Sequence, residues 1–287
     1  MSDNAKLNIK LIVTDIDGTL LNSNHELSER NIAALKAAHT QGIKIALATG
    51  KTPAAADFVR QRLGIPTYGI YLQGMVLMDT DGKTFYQQTI HPDNLRHVIT
   101  YAEDRGFDIM VYSGSKIMSR TITQLMRDLT EPYHEPLPQA VGPLQNILWT
   151  TPIHKLVALG EPRQVTALRW QLNTQLSGKV RLVQAGIPTM LEVLPQNGGK
   201  GSALKTLMKE LSISAEHVMA LGDAENDIEM LQLAGAGVAV GNADEKVKAV
   251  AKHVVASNND DGFAEALEQF VLPEPAKQPE AEAQTNP

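Results

Sequence analysis

Lys10 to Thr14 is a short apolar run of branched residues and predicts a buried strand. Gly18 permits a turn. Ser28 can then cap a helix whose inner face carries Ile32 and Leu35, and Gly42 ends it. Ile43 to Ala48 is the next strand, and Thr52-Pro53 opens a second helix with proline in its first turn. The same alternation returns late in the chain. Leu204, Leu207, Met208 and Leu211 fall on one helical face. Val218 to Leu221 and Ala236 to Val240 are strands. A helix with Ile228 and Leu231 inward lies between them, and another follows over Lys246 to Lys252. Strand–helix alternation of this kind predicts an α/β fold with a parallel sheet.

The middle of the chain follows a different pattern. After the turn at Asp79 to Gly82, Thr84 to Ile90 reads as a strand. Pro92 starts a helix with Leu95, Val98, Ile99 and Ala102 on one face. Phe107 to Tyr112 and Lys116 to Ser119 form a hairpin around Ser113-Gly114-Ser115. Ile153 to Leu159 and Lys179 to Gln184 are strands. Between them runs a helix from Pro162 carrying Val165, Leu168, Leu172 and Leu176. We therefore expect an α+β domain inserted into the parallel one. The divisions are 1–88 and 188–272 for the two parts of the core, 89–187 for the insert, and 273–287 for the tail. That tail is rich in Pro, Glu, Ala and Gln, lacks large apolar residues and is expected to be disordered.

Composition narrows the chemistry. The chain has 287 residues, 43% of them hydrophobic, and a formal net charge of −6. With no dense basic tract it is a poor general nucleic-acid binder. The absence of cysteine removes thiol nucleophiles, disulfides and Cys-ligated zinc. The start lacks an apolar signal core, and no run of about 18 apolar residues occurs. A soluble, cytoplasmic protein with no membrane partner is expected. The sequence leaves the oligomeric state open.

Four stretches carry candidate chemistry, each beside a predicted strand end or helix start. Asp15-Ile16-Asp17-Gly18-Thr19-Leu20 follows the first strand and places two carboxylates where ligands of open α/β sheets bind. Paired anions need a counter-charge, and a hard divalent cation supplies it through oxygen ligands. Alone, the stretch also reads as an acidic surface turn. Gly222 to Asp227 brings acidic residues to another strand end; helix capping is the plainer role and Asp227 can serve it, whereas Asp223, just beyond the strand, is better placed for a metal. Ala48-Thr49-Gly50-Lys51 offers a hydroxyl and backbone N–H groups ahead of a helix, a ready anion site. Gly198-Gly199-Lys200-Gly201 holds a lysine that can reach a phosphate as a point charge.

Taken in order, these four stretches resemble the haloacid dehalogenase superfamily, and most closely its Cof-type phosphatases. The resemblance runs through all but the tail. It implies a Rossmann-like core and a mobile inserted cap of the C2B type, for which the span between Thr49 and Lys200 leaves room. It also implies Mg²⁺ and a small phosphate-ester substrate, a sugar phosphate or related monoester. By resemblance, Asp15 is the nucleophile and a metal ligand. Asp17 is the general acid/base, with its carbonyl on the metal. Thr49, Gly50 and Asn226 hold phosphate, Lys200 neutralises Asp15 and the phosphoryl oxygens, Asp223 completes the metal ligands, and Asp227 orients Lys200 or a metal-bound water.

Two positions depart from the family pattern. Lys51 stands where arginine is common, and Gln73-Gly74-Met75 where Asn-Gly-Ala is common. Two other readings compete with the phosphatase: a phosphomutase of the phosphomannomutase type and a non-catalytic phospho-ligand-binding protein. Tyr112, Met118 and Arg120 sit near the predicted hairpin, where packing or plain exposure is the simpler role for each. His91, His97 and His154 read as surface or satisfied core residues. Gly235-Ala236-Gly237 reads as buried strand rather than a dinucleotide turn, and no Walker sequence is present.

Overall fold

A computed structural model describes residues 6–184 and 187–273. Two sheets organise the chain. The first half contributes β1 (Leu11–Thr14), α1 (Glu29–Thr40), β2 (Lys44–Ala48), α2 (Pro53–Leu63), β3 (Tyr68–Tyr71), β4 (Val76–Met78) and β5 (Thr84–Gln87). The middle contributes α3 (Pro92–Glu103), β6 (Asp108–Ser113), β7 (Lys116–Ser119), α4 (Gln124–Thr130) and β8 (Gln139–Ala140). It continues with β9 (Lys155–Leu159), α5 (Pro162–Gln175), β10 (Val180–Val183) and β11 (Met190–Pro195). The chain then returns with α6 (Lys200–Leu211), β12 (Val218–Gly222), α7 (Ile228–Leu233), β13 (Ala236–Ala239), α8 (Glu245–Lys248), β14 (His253–Val254) and α9 (Gly262–Phe270).

The first sheet has the order β14-β13-β12-β1-β2-β3-β4-β5. It is parallel from β14 to β3 and antiparallel at β3–β4 and β4–β5. Its central strands β13, β12, β1 and β2 are buried on both faces, which is why they read as unbroken apolar runs. Ile12 packs into a cluster with Leu35, Val59 and Leu267, while Leu11 and Val13 on the other face meet Leu204, Leu207 and Met230. Helices therefore cover both faces of an α/β core, as the alternating pattern predicted.

The second sheet, β10-β11-β9-β6-β7-β8, is mostly antiparallel. Ile109, Val111, Leu156, Ala158, Leu191 and Val193 pack with α3 and α5. Alternate residues of the same strands, including Met110, Tyr112, Val157 and Leu194, point the other way. That second face looks onto the rim of the first sheet.

Several expectations change in detail. β11 was not foreseen as a strand, and the division at 187/188 placed its residues in the returning core. Its ladders with β9 and β10 put it in the second sheet. The expected helix Lys246 to Lys252 shortens to α8. Lys252 leaves it because its N–H donates to Gly237 O at 2.8 Å and its ammonium to Ala234 O and Gly235 O, which ties the chain back to β13. β5 stops at Gln87. The expected disordered tail lies outside the described residues beyond Pro273. Among the described residues no helix is long and apolar enough to cross a membrane.

Candidate active site

The parallel order places β12, β1 and β2 side by side in the centre of the sheet, so their C-terminal ends share one rim. Thr14 is level with both Leu221 and Leu47. Asp15 therefore leaves β1 beside Asp223, which follows β12, and Thr49, which follows β2. This is the switch point of an open α/β sheet, with neighbours joining β1 from opposite directions along the chain.

Lys200 opens α6 and reaches under the rim. Its ammonium is fully buried and donates to Asp15 Oδ1 at 2.5 Å and to Asp227 Oδ1 at 2.7 Å. Asp227 is closed off completely, since its Oδ2 accepts the N–H groups of Asp223 and Ala224, both at 3.1 Å. Asp223 Oδ1 accepts the Thr19 hydroxyl at 2.7 Å. One oxygen from each of Asp15, Asp223 and Asp227 lies within 4.8 Å of the other two. Gly18 makes the approach possible. It has φ +83°, and a Cβ there would sit 2.5 Å from Asp223 Oδ2.

The charges on this rim do not balance. Three carboxylates crowd one ammonium, which bonds only the buried Asp15 and Asp227, while Asp223 is partly exposed to the cavity. Burial is the main cause that holds the Asp15 carboxyl well above the ordinary range; Lys200 opposes it, and the charges of Asp227, Asp223 and Asp17 reinforce it. Burial, with Asp227 beside it, also pushes Asp223 up to about 6. Burial opposes the charge on Lys200, but Asp15 and Asp227 together outweigh it and raise its pKa. An all-oxygen cluster with surplus negative charge fits a hard divalent cation. Asp15 and Asp223, which line the cavity with oxygens in this cluster, would hold it.

Asp17 faces the same cavity. Its Oδ1 lies 2.8 Å from Lys51 Nζ and 3.4 Å from His25 Nδ1. The Lys51 contact is off the hydrogen-bond direction, so that oxygen keeps an open acceptor position. Lys51 is buried, near the rings of Phe58 and Tyr133 at 5.7 and 5.6 Å. Thr49 Oγ1 accepts the Lys51 N–H at 3.1 Å. The Thr49 hydroxyl hydrogen and the Gly50 N–H have no acceptor among the described residues.

The cavity, about 360 Å³, is closed from the other side by the second sheet and its loops. Here Lys155 of β9 donates to Glu192 Oε1 of β11 and to Gly50 O, both at 2.8 Å, and lies 4.4 Å from the centre of the Tyr112 ring. Glu192 Oε2 accepts Gln73 Nε2 at 2.7 Å, and Gln73 Oε1 accepts Asn226 Nδ2 at 2.9 Å. Gln73 has φ +61°, and a Cβ on Gly50 would lie 2.7 Å from its amide nitrogen. In the loop after α4, Glu135 accepts the Thr52 N–H at 3.0 Å and the Thr52 hydroxyl at 2.7 Å. Burial raises the Glu135 pKa against the pull of Lys155 and Thr52.

Asp15, Lys200, Asp223 and Asp227 thus meet in one cluster, with Asp17, Thr49 and Gly50 lining the cavity beside it. Asn226 is placed differently from a free phosphate donor. Its Nδ2 is occupied by Gln73, and the atom left without a partner is the acceptor Oδ1.

A family model described as haloacid dehalogenase-like hydrolase matches residues 12–267. The chain belongs to that family. Phosphatase YwpJ of Bacillus subtilis is 28% identical over 285 residues, a match covering 92% of this chain and 100% of that protein. A chloroplastic protein of Arabidopsis thaliana named endoribonuclease YBEY is 32% identical over 271 residues, 91% of this chain. The chain spans only 46% of that relative's length. A crystal structure of a haloacid dehalogenase-like hydrolase from Bacteroides thetaiotaomicron superposes with a TM-score of 0.83 at 27% identity, covering 91% of this chain and 99% of that one. These findings bear out the Cof-type resemblance read from the four stretches.

Glu192, Lys155, Glu135 and His25 were not singled out in the sequence. A signal for the first two was available: each is a lone charge in an apolar strand, KLVAL and MLEVLP, and such charges are seldom buried without a partner. Tyr112 is buried and lines the cavity, Met118 packs with α3 and α5, and Arg120 is exposed, 3.9 Å from Glu103. His91 and His97 are on the surface. His154 is buried and bonded to Gln87 and the Gly114 N–H. Gly235-Ala236-Gly237 leads into β13, whose residues are all buried.

Proposed function

We propose that this chain is a Mg²⁺-dependent phosphatase of small phosphorylated metabolites, sugar phosphates or related monoesters, acting through an aspartyl-phosphate on Asp15. One observation carries the reading: a buried Lys200 pinned between Asp15 and Asp227, with Asp223 in the same cluster, at the switch point of the sheet. The relatives matched along their whole length and named phosphatases support it.

A phosphate monoester dianion repels an incoming carboxylate. Lys200 lowers that repulsion and stabilises charge on the transferring group. Asp15, Asp223 and the Asp17 carbonyl would hold Mg²⁺, which would supply further positive charge for the phosphoryl oxygens. The Thr49 hydroxyl and Gly50 N–H orient those oxygens, and Asn226 joins them when its amide turns away from Gln73. An Asp15 oxygen forms the new bond to phosphorus as the bond to the alcohol oxygen breaks. Asp17 gives that oxygen its proton. In the second step water attacks phosphorus, Asp17 takes the water proton, and the Asp15 carboxylate is released with inorganic phosphate. Asp227 holds Lys200 in place throughout. The inserted unit acts as a cap that excludes bulk water during the first step and opens for release.

The test is phosphate release from a panel of sugar phosphates, nucleotides, pyridoxal phosphate and an aryl phosphate, with Mg²⁺ and with EDTA. The reading predicts Mg²⁺-dependent release with no bisphosphate activator. Release only with such an activator would make the enzyme a mutase. No release from any ester, with ligand still bound, would make it a binding protein.

A further inference from the structure

The two sides of the cavity hold different parts of a bound ester. On the reading above, phosphorus lies against Asp15, so the alcohol part lies against the inserted unit. The charged groups on that side are Glu135, Glu192 and Lys155. Both oxygens of Glu192 are engaged, by Lys155 and Gln73, and both oxygens of Glu135 by Thr52. Lys155 in turn is covered by Glu192, Gly50 O and the Tyr112 ring. Lys51, the other lysine lining the cavity, stands 2.8 Å from Asp17 and 5.6 Å from the centre of the Tyr133 ring, without a hydrogen bond to either.

Two carboxylates therefore stand against one ammonium, and no Lys or Arg among the described lining residues lacks an acidic neighbour. A second anionic group on the alcohol part would find each lysine already beside a carboxylate and would meet Glu135 and Glu192 at reduced dielectric, where like charges repel strongly. The remaining surface on this side includes the rings of Tyr112 and Tyr133 and the side chains of Leu129 and Met190. Such a surface takes the apolar face of a ring or a short carbon skeleton.

We propose that the site selects phosphate monoesters whose alcohol part carries no second anionic group, and that Glu135 and Glu192 exclude those that do. Sugar monophosphates and phosphorylated ring alcohols fit. Bisphosphates and phosphorylated carboxylic acids do not. The inference deepens the phosphatase reading and rests on it.

Two matched pairs test it: fructose 6-phosphate against fructose 1,6-bisphosphate, and glycerol 3-phosphate against 3-phosphoglycerate. Binding is measured by calorimetry on Asp15→Asn with saturating Mg²⁺, and kcat/KM on the wild type. The expected result is at least ~10-fold preference for the first member of each pair, a difference of about 1.4 kcal/mol. Glu135→Gln keeps the shape and a partner for Thr52, and should narrow that preference at least about threefold. Equal or reversed affinities overturn the inference, and so does a preference untouched by Glu135→Gln. Binding with the expected preference but no phosphate release upholds the selectivity and sinks the phosphatase reading. Equal turnover of both members does the reverse. Failure of every ligand to bind overturns both.

Discussion

The two walls of the cavity use the same residue types to opposite ends. On the rim of the parallel sheet, Asp15, Asp223 and Asp227 crowd one lysine, and two carboxylates are held above their ordinary pKa. On the facing wall, Lys155 and Glu192 are paired, and Gln73 joins Glu192 to Asn226 back on the rim, each contact matched to the next. The rim is left short of positive charge and short of hydrogen-bond donors. The wall has its hydrogen bonds met, with Glu135 left as one surplus negative charge. A buried cluster short of partners costs folding free energy and is kept where a ligand completes it, whereas a hydrogen-bonded one fixes geometry.

The largest effect should come from breaking the rim at its centre. Asp15→Asn removes the attacking oxygen while keeping the shape, and kcat should fall by at least ~10³-fold. Circular dichroism and thermal melting should show the fold intact. Wild-type release by this variant would move the nucleophile elsewhere.

Cation removal tests the same imbalance without mutation. EDTA should cut turnover by at least ~100-fold, with recovery on adding Mg²⁺. The pH dependence follows from Asp223. Its pKa in the metal-free fold, about 6, is above the ordinary 3.8. The proton competes with the cation below that value, so Mg²⁺ affinity should fall by up to about tenfold per unit as pH drops through 6. The linkage to stability runs the opposite way. The metal-free fold binds this proton more tightly than the unfolded chain does, so the contribution of Asp223 to stability falls as pH rises from about 4 to 6. Above that range bound Mg²⁺ should raise the melting temperature. Melting curves at pH 5 and pH 8, with and without Mg²⁺, check both signs.

On the facing wall, Glu192→Leu leaves Lys155 buried without its counter-ion. Losing one partner of such a pair costs about 3–5 kcal/mol, read by chemical denaturation. Adding Lys155→Met should recover much of that loss. If the single variant were as stable as the wild type, the pair would not be holding the wall together.

The smallest effect sharpens the link between the walls. Gln73→Asn tolerates the left-handed backbone but is one methylene too short to reach both Glu192 and Asn226. We expect roughly a tenfold loss in kcat/KM, with the fold retained. No change would mean that the amide chain does not position Asn226.

Much of the core was legible because its signals are local. The runs around Ile12, Ile45 and Ala220 are buried on both faces and are followed directly by the residues that carry chemistry. The four stretches also bear their own turn glycines. What escaped was non-local. β11 looks like part of the run into Gly198, and only its ladders with β9 and β10 reveal its sheet. Glu192 and Lys155 are far apart in sequence, so neither announces the other. Glu135 lies in a loop with no pattern at all, and its partner is Thr52, through both the N–H and the hydroxyl. The Gln73 departure was visible, but not that a longer amide would bridge the two sheets.

The account rests on Asp15 carrying the phosphoryl group. A single-turnover reaction of wild-type protein with Mg²⁺ and substrate, quenched in acid within the first turnover and analysed by peptide mass spectrometry, reads this directly. A phosphoryl mass increment confined to Asp15 is predicted. Phosphate released with no increment on Asp15 at any quench time, or an increment on another residue, would contradict it.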